Sequence, residues 1–240
     1  MVIAYGKTDI GATRKMNQDY FYVSTKPVGN LPNIFIVADG MGGHKAGDVA
    51  SREAVNTITD EISANAAKDP ISAMEAAINS ANQRLLEKSK SAPEYEGMGT
   101  TLVMATVYDD IIYIANIGDS RLYVIGDEIR QITRDHSFVQ EMVTLGKLDK
   151  KSARHHEKKN YLTRALGVED GTMADFFEIK STAGEKLLMC TDGLTNMVED
   201  DDIKNIVSGE NDIREAVNTL IETANKNGGM DNITAVLIEP

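Results

Sequence analysis

The sequence predicts an α+β domain in which antiparallel sheets are covered by helices, and three observations carry that prediction. Two amphipathic helical patterns stand side by side at 47–65 and 69–88, and two more lie near 200–208 and 212–226. Between these pairs, residues 99–133 read as strand after strand, linked at Tyr108-Asp109-Asp110, Gly118-Asp119 and Gly126-Asp127. Links that short cannot hold the crossover of a parallel unit, so the strands are expected to be antiparallel. No low-complexity tract and no period of roughly 20 to 50 residues is present, which excludes a repeat array. Helix pairs and antiparallel strands together imply layers.

Taken in order, the chain opens with strands at about 2–9, 20–26 and 33–38. In "GDVASREAVNTITDEISAN", Val55, Ile58 and Ile62 share one helical face. In "DPISAMEAAINSANQRLLEK", Ile71, Met74, Ile78, Ala81 and Leu85 step by three or four, with Asp69 as N-cap and Pro70 at the first helical position. After the β-rich block, "SFVQEMVTLG" (137–146) is a short helix with a Ser137/Gln140 capping box and Gly146 at its end. Residues 147–170 are polar, basic and weakly patterned, and read as an excursion from the core. A strand at 186–191 precedes the second helix pair. In its last helix Ile213, Val217, Leu220 and Ala224 form the apolar stripe behind an Asp212/Glu215 cap. "DNITAVLIEP" closes the chain as a strand.

Composition narrows the function classes. The 240 residues are 42% hydrophobic but contain no Trp, so aliphatic side chains and Met must fill the core. The one cysteine, Cys190, rules out an internal disulfide and points to a reducing compartment. Its place inside a strand suits a small buried hydrophobe better than a nucleophile. No apolar stretch approaches the ~20 residues that span a bilayer, and the N-terminus lacks a basic-then-apolar layout. A cytoplasmic protein without membrane insertion is expected. A net charge of −12 argues against nucleic acid as a partner. Part of that charge could be held for cations.

The chemistry begins with a repeated pattern. Apolar runs end on Asp39-Gly40 in "NIFIVADGMGGHKAG" and on Asp192-Gly193 in "KLLMCTDGLTN". Asp-Gly is a strong hairpin signal, but after Gly40 the chain enters a glycine-rich loop and a helix instead of returning as a strand. A dinucleotide loop would need a third glycine where Lys45 stands, and His44-Lys45-Ala46 does not match a Walker loop. Asp119 lies in the turn of "NIGDSR", Asp231 opens the last strand in "GGMDNIT", and Asp19 ends "RKMNQD". Five carboxylates at element ends, without a His/Cys cluster, suit Mg²⁺ or Mn²⁺ better than Zn²⁺. Each aspartate taken singly reads more readily as a turn or cap residue than as a metal ligand.

Seven motifs resolve the choice. "RKMNQD" (14–19), "VADGMGGHKAG" (37–47), "GTT" (99–101), "NIGDSR" (116–121), "TRDHS" (133–137), "CTDGL" (190–194) and "GGMDNIT" (228–234) occur in the order seen in the metal-dependent protein phosphatases of the PPM or type 2C family. Over residues 2–239 the chain resembles the family's bacterial stand-alone serine/threonine phosphatases. The resemblance implies a four-layer α-β-β-α sandwich, two antiparallel sheets flanked by helix pairs, spanning residues 1–240 as one catalytic domain. It also implies a dinuclear centre of Mn²⁺ or Mg²⁺ at one end of the sandwich, with a weaker third ion.

By that resemblance, Asp39 bridges the two core ions and the Gly40 carbonyl serves one of them. Asp192 and Asp231 hold the other ion, and Asp19 serves the ion on the Gly40 side. Asp119 shares the third ion with Asp192, and Arg14 grips the substrate phosphate. A metal-bridging hydroxide would attack phosphoserine or phosphothreonine directly, opposing a Ser/Thr protein kinase and acting on that kinase's substrates. Residues 147–170 would form a flap, and the chain is expected to be a monomer. Two departures from the family stand out. Gln18 occupies a position that is Glu in many members, which removes one charge. Met41 occupies a position that is His in some, and a structural role is expected for His44. A catalytically silent phosphatase-like binding module should have lost metal aspartates, and all five are present. A Mg²⁺-dependent nuclease conflicts with the acidity and the motif order.

Overall fold

The apolar strands sort into two antiparallel sheets in the computed structural model, which describes residues 2–43, 46–64 and 69–240. One sheet contains β1 (Ile3–Asp9), β7 (Arg121–Ile125), β8 (Ile129–Gln131), β10 (Lys186–Cys190) and β11 (Ile233–Glu239), in the spatial order β1-β11-β10-β7-β8. The other runs β2 (Asp19–Ser24), β3 (Ile34–Met41), β5 (Leu102–Tyr108), β6 (Ile111–Ile117) and β9 (Asp175–Lys180), with β4 (Gly99–Thr100) pairing the end of β3.

Alternation along each strand divides the apolar side chains between two faces. Phe35 and Val37 on β3 point inward, where they meet Val103, Ile114, Leu122, Val124, Met189 and Val236 between the sheets. Ile34, Ile36 and Ala38 point outward against α1 (Ala46–Ala64) and α2 (Pro70–Ser89). On the other side Tyr123, Leu188 and Leu237 pack against α6 (Asp200–Gly209) and α7 (Ile213–Lys226). The three cores give helices, sheet, sheet, helices. This is the expected four-layer sandwich.

The predicted N-cap residues Asp69, Ser137 and Asp212 cap their helices, but Gln140 does not close its capping box. The Asp69 carboxylate accepts from Ser72 N at 2.8 Å with Pro70 next in line, and Asp212 accepts from Arg214 N at 2.7 Å. Ser137 accepts from Gln140 N at 3.3 Å and starts α3 (Phe138–Thr144), whereas the Gln140 amide reaches Thr144. Asn65, predicted to end the first helix, lies outside the described residues.

Four features differ from expectation. The Gly118-Asp119 link does not join paired strands: β6 and β7 belong to different sheets, so this link crosses the sandwich. A short link excludes a parallel crossover but does not force its flanking strands to pair with each other. β3 runs on through Asp39 and Gly40 to Met41, because Gly40 and Met41 pair with Thr100 and Gly99. β9 was not predicted, being six residues after a weakly patterned stretch, and it pairs along β6. The short helices α4 (Lys150–Arg154) and α5 (Asp192–Thr195) were not predicted either.

Leu220 is fully buried where α7 covers the first sheet. Leu220→Ala is expected to cost about 2–5 kcal/mol by leaving a cavity between helix and sheet. Urea unfolding measures this, and a loss below about 1 kcal/mol would mean that the layer collapses onto the gap.

Candidate metal centre

The strand ends at one edge of the sandwich bring the predicted residues together. Asp19 and Asp39 are directly opposed in the β2–β3 ladder. Asp192 follows β10, Asp231 precedes β11, and Asp119 lies in the link that crosses between the sheets. Arg14 lies on the loop between β1 and β2. A cleft of about 230 Å³ is lined by Arg14, Asp39, Gly40, Asp119, Asp192 and Asp231. Asp19 sits behind it, only 2% exposed.

Local packing explains the repeated Asp-Gly pairs. A Cβ on Gly40 would lie 2.0 Å from the Gly47 carbonyl oxygen, and one on Gly193 would lie 1.9 Å from that of Asn232. In both places a second backbone runs directly against the glycine, and only a missing side chain permits that approach. The aspartate before each glycine is thereby pinned at the mouth of the cleft.

Neighbours hold the carboxylates of Asp19, Asp192 and Asp231 and the backbone of Asp39. The hydroxyls of Thr191 and Thr234 donate to Asp19 Oδ2 at 2.8 and 2.7 Å. The backbone of Asp39 is tied on both sides: Thr101 N and Thr100 Oγ1 donate to its carbonyl at 2.9 Å, and its N–H donates to Thr101 Oγ1 at 2.9 Å. Asn196 Nδ2 donates to Asp192 Oδ2 at 2.9 Å, and Asn232 N donates to Asp231 Oδ1 at 2.8 Å. Arg14 Nη2 pairs with Asp231 Oδ2 at 2.7 Å on the cleft rim.

The electrostatics are strained toward the protonated state. Burial raises the Asp19 pKa from 3.8 to about 7, against its two hydroxyl donors and with help from Asp192 and Asp231. Burial, then Asp231, raises Asp192 to about 6. Asp39 is raised well above the usual range by burial and then by Asp19, Asp192, Asp119 and Asp231. Asp119 is raised by burial, Asp192 and Asp135, with Arg121 opposing.

These residues fit divalent cations. Among the described residues, the buried side-chain atoms without a hydrogen-bond partner are Asp19 Oδ1, Asp192 Oδ1 and Asn116 Oδ1, and two of the three belong to this site. An orphaned, buried carboxylate oxygen is costly unless a cation meets it. Among the described residues no group of three Asp, Glu, His or Cys side chains stands close enough together to hold an ion by itself. Carboxylates along a cleft wall leave coordination to be completed by backbone carbonyls and water. That suits Mg²⁺ or Mn²⁺, not a closed zinc site.

Some lining residues were missed from sequence. Asn160 and Leu162 reach the cleft from the 147–170 segment, and Thr101 and Asn232 complete its walls. Asn232 stood next to Asp231 in a quoted motif, whereas nothing in the polar run around Asn160 marked it. A second cavity of about 330 Å³ shares Asp119, Asn160 and Asp192 with the first and lies under that segment. Three of the segment's cations are engaged: Arg154 with Val198 O and Glu199, Lys159 with Asn196, and Arg164 with Asp175. Met41 lines the cleft, and His44 lies outside the described residues. Cys190 is fully buried, as expected for a packing residue.

Comparison with known proteins agrees in sequence and in shape. The family described as Protein phosphatase 2C matches residues 11–238. The serine/threonine phosphatase stp of Listeria monocytogenes serotype 4b (strain F2365) is 41% identical over 238 residues, covering 97% of this chain and 94% of that protein. The crystal structure of serine/threonine phosphatase Stp1 from Staphylococcus aureus is 34% identical and superposes with a TM-score of 0.93, covering 100% of this chain and 95% of that one. The catalytic domain of the serine/threonine protein phosphatase PstP, solved in complex with two manganese ions, is 30% identical with a TM-score of 0.87, covering 99% and 97%.

The raised carboxyls set a pH dependence for the ion-free protein. A carboxyl whose folded pKa exceeds its unfolded value stabilises the fold below the unfolded pKa, and that contribution is lost as pH rises through the folded one. With Asp19 at about 7 and Asp192 at about 6, the loss falls between about pH 4 and pH 7. In EDTA the melting temperature is expected to be lower at about pH 8 than at about pH 5, with Mn²⁺ restoring more at the higher pH. Calorimetry at both pH values checks this; a melting temperature that rises with pH would contradict it.

Proposed function

This chain belongs to the protein phosphatase 2C family, and we propose that it hydrolyses phosphoserine and phosphothreonine in proteins with divalent cations held in the cleft. In this reading Asp39 would serve both of two core ions of Mn²⁺ or Mg²⁺, the Gly40 carbonyl and Asp19 would help to hold one, and Asp192 and Asp231 would hold the other. Asp119 and Asp192 would hold a weaker third ion. The observation that carries the reading is the gathering of four aspartates, Asp39, Asp119, Asp192 and Asp231, around one cleft with Asp19 buried behind it, and with buried oxygens of Asp19 and Asp192 left without a protein partner. When bound, the cations supply a water acidified toward neutral pH and offset charge on the phosphoryl oxygens.

The chain's own residues do the rest. The Arg14 guanidinium, held at the rim by Asp231, presents a planar fork that can meet two phosphate oxygens. Thr100 and Thr101 fix the backbone at Asp39, and Asn196 fixes the Asp192 carboxylate. Asn160 and Leu162 wall the cleft on the side of the 147–170 segment, which serves as a flap in a catalytic domain formed by residues 1–240. No covalent phospho-enzyme is invoked. Cys190 is buried with its thiol pKa pushed up by desolvation, and His136 is engaged by Gly118 and Asp175. The substrates in this reading are a cytoplasmic Ser/Thr kinase and the proteins it phosphorylates, met by a monomer.

Turnover of p-nitrophenyl phosphate and of a phosphothreonine peptide, with and without Mn²⁺, tests the reading. Wild-type turnover should require Mn²⁺, and Asp192→Asn should abolish it with the circular dichroism spectrum unchanged. A folded wild-type chain that binds Mn²⁺ without turnover would be a phosphatase-shaped binding module. Arg14→Ala should remove a charge-assisted contact of ~1.5–3 kcal/mol, lowering kcat/KM roughly 10- to 150-fold. Calorimetric Mn²⁺ affinity should survive that substitution. Collapsed ion affinity with unchanged phosphate inhibition would make Arg14 a support for Asp231 instead.

A further inference from the structure

The "TRDHS" motif contains a buried histidine that the hydrolytic reading leaves unused. The His136 side chain is 2% exposed. Its Nδ1 lies 3.1 Å from the backbone N of Gly118, and its Nε2 lies 3.1 Å from Asp175 Oδ2. An amide N–H can only donate, so Nδ1 must present its lone pair. The ring proton is then on Nε2, where the Asp175 carboxylate accepts it. Both ends of the ring demand the same tautomer, and a protonated ring would set two N–H groups against each other at Gly118. Burial, opposed by Asp175, also holds the ring's pKa below its ordinary value.

The two partners of this ring connect to different residues that line the cleft. Gly118 immediately precedes Asp119 and is gripped twice, since its carbonyl also accepts from His136 N at 2.9 Å. Asp175 is paired through Oδ1 with Arg164 Nη1 at 2.7 Å. Arg164 ends the return limb of the 147–170 segment, on which Asn160 and Leu162 line the cleft. The limb is laced to the same motif through its backbone: Thr163 N donates to His136 O at 2.9 Å, and Phe138 N donates to Tyr161 O at 2.8 Å.

We propose that His136 is a positioning residue that clamps the Asp119 turn to the return limb, so that a phosphoprotein contact on the limb is transmitted to Asp119. The ring adds a side-chain link to the backbone bonds through which His136 already joins the Asp119 turn and the limb. The Asp119 side faces the ion site of the phosphatase reading, on which this inference rests, and the limb side faces the substrate's polypeptide. His136 itself touches neither substrate nor ion.

Two substitutions separate the two ends of the clamp. His136→Asn keeps an acceptor near Nδ1 and loses the donor to Asp175; His136→Gln does the reverse. His136→Asn should lower kcat/KM on a phosphothreonine peptide roughly 10- to 100-fold, the scale for a displaced positioning group, and by much less on p-nitrophenyl phosphate. His136→Gln should lower both to a similar extent, because the Asp119 turn is released. Trypsin should cut the ion-free protein within 147–163 faster in His136→Asn and in Asp175→Asn than in wild type. Nitrogen NMR of ion-free wild type should show an unprotonated Nδ1 and a protonated Nε2. A protonated Nδ1 would overturn the clamp whether or not the variants fold. So would equal losses for Asn and Gln on both substrates with unchanged trypsin cutting, since a packing role alone predicts that. A wild type inactive on both substrates yet protonated on Nε2 would defeat the phosphatase reading, and with it the transmission of a phosphoprotein contact, while leaving the bond between the ring and Asp175 intact.

Discussion

Like-charge repulsion among carboxylates is the constraint around which the functional end of this molecule is built. Two unit charges about 4 Å apart repel by about 4 kcal/mol at the effective dielectric of a protein surface, and more where water is excluded. Asp39 is raised by burial and by four neighbouring aspartates at once. Such a group would relax apart or take up protons if its supports were soft. The supports are stiff: the strands that carry it are apolar on both faces, and three separate cores grip them. The folding energy of the sandwich therefore maintains a cleft that is unfavourable until cations enter it.

The layered topology explains why the carboxylates meet. Two stacked antiparallel sheets keep their strand directions close to aligned, so strand ends from both sheets emerge at one edge. Asp19 and Asp39 reach that edge as a cross-strand pair of one sheet. Asp192 and Asp231 reach it from β10 and β11, which are neighbours in the other. Asp119 arrives on the link that passes between the sheets. Two backbone contacts too tight for any Cβ, at Gly40 and Gly193, draw the loops in against this edge.

Local signals were legible in the sequence, and long-range ones were not. The stripes of Val55, Ile58 and Ile62 and of Ile213, Val217 and Leu220 are buried as read, and the Asp69 and Asp212 caps are made. The candidate ligands were legible because aspartate at the end of an apolar run is locally unusual and the motifs come in a fixed order. Sheet membership was not legible. Nothing near Gly118-Asp119 says that β6 and β7 part company there. The hydroxyls that hold Asp19 come from Thr191 and Thr234, 172 and 215 positions away, and read as ordinary strand residues. Asn160 and Asn196 were invisible for the same reason. Their partners are assembled only when the 147–170 segment folds back over α5.

That segment also grades the charge along the cleft. The leading neighbours of Asp39 are all carboxylates, so its end of the site depends most on added cations. At Asp192 the repulsion from Asp231 is opposed by Lys159, Arg121 and the Asn196 amide, and its pKa rises only to about 6. Lys159 donates to Asn196 at 3.0 Å, and Asn196 donates to Asp192, so a cation of the segment reaches the carboxylate through one intervening side chain. Arg121 is itself tied to Asp135 and opposes the rise at Asp119. The protein's own positive charge thus partly compensates the side shared by Asp119 and Asp192. In the proposed reading a third ion would sit on that partly compensated side, beside the segment that carries Lys159.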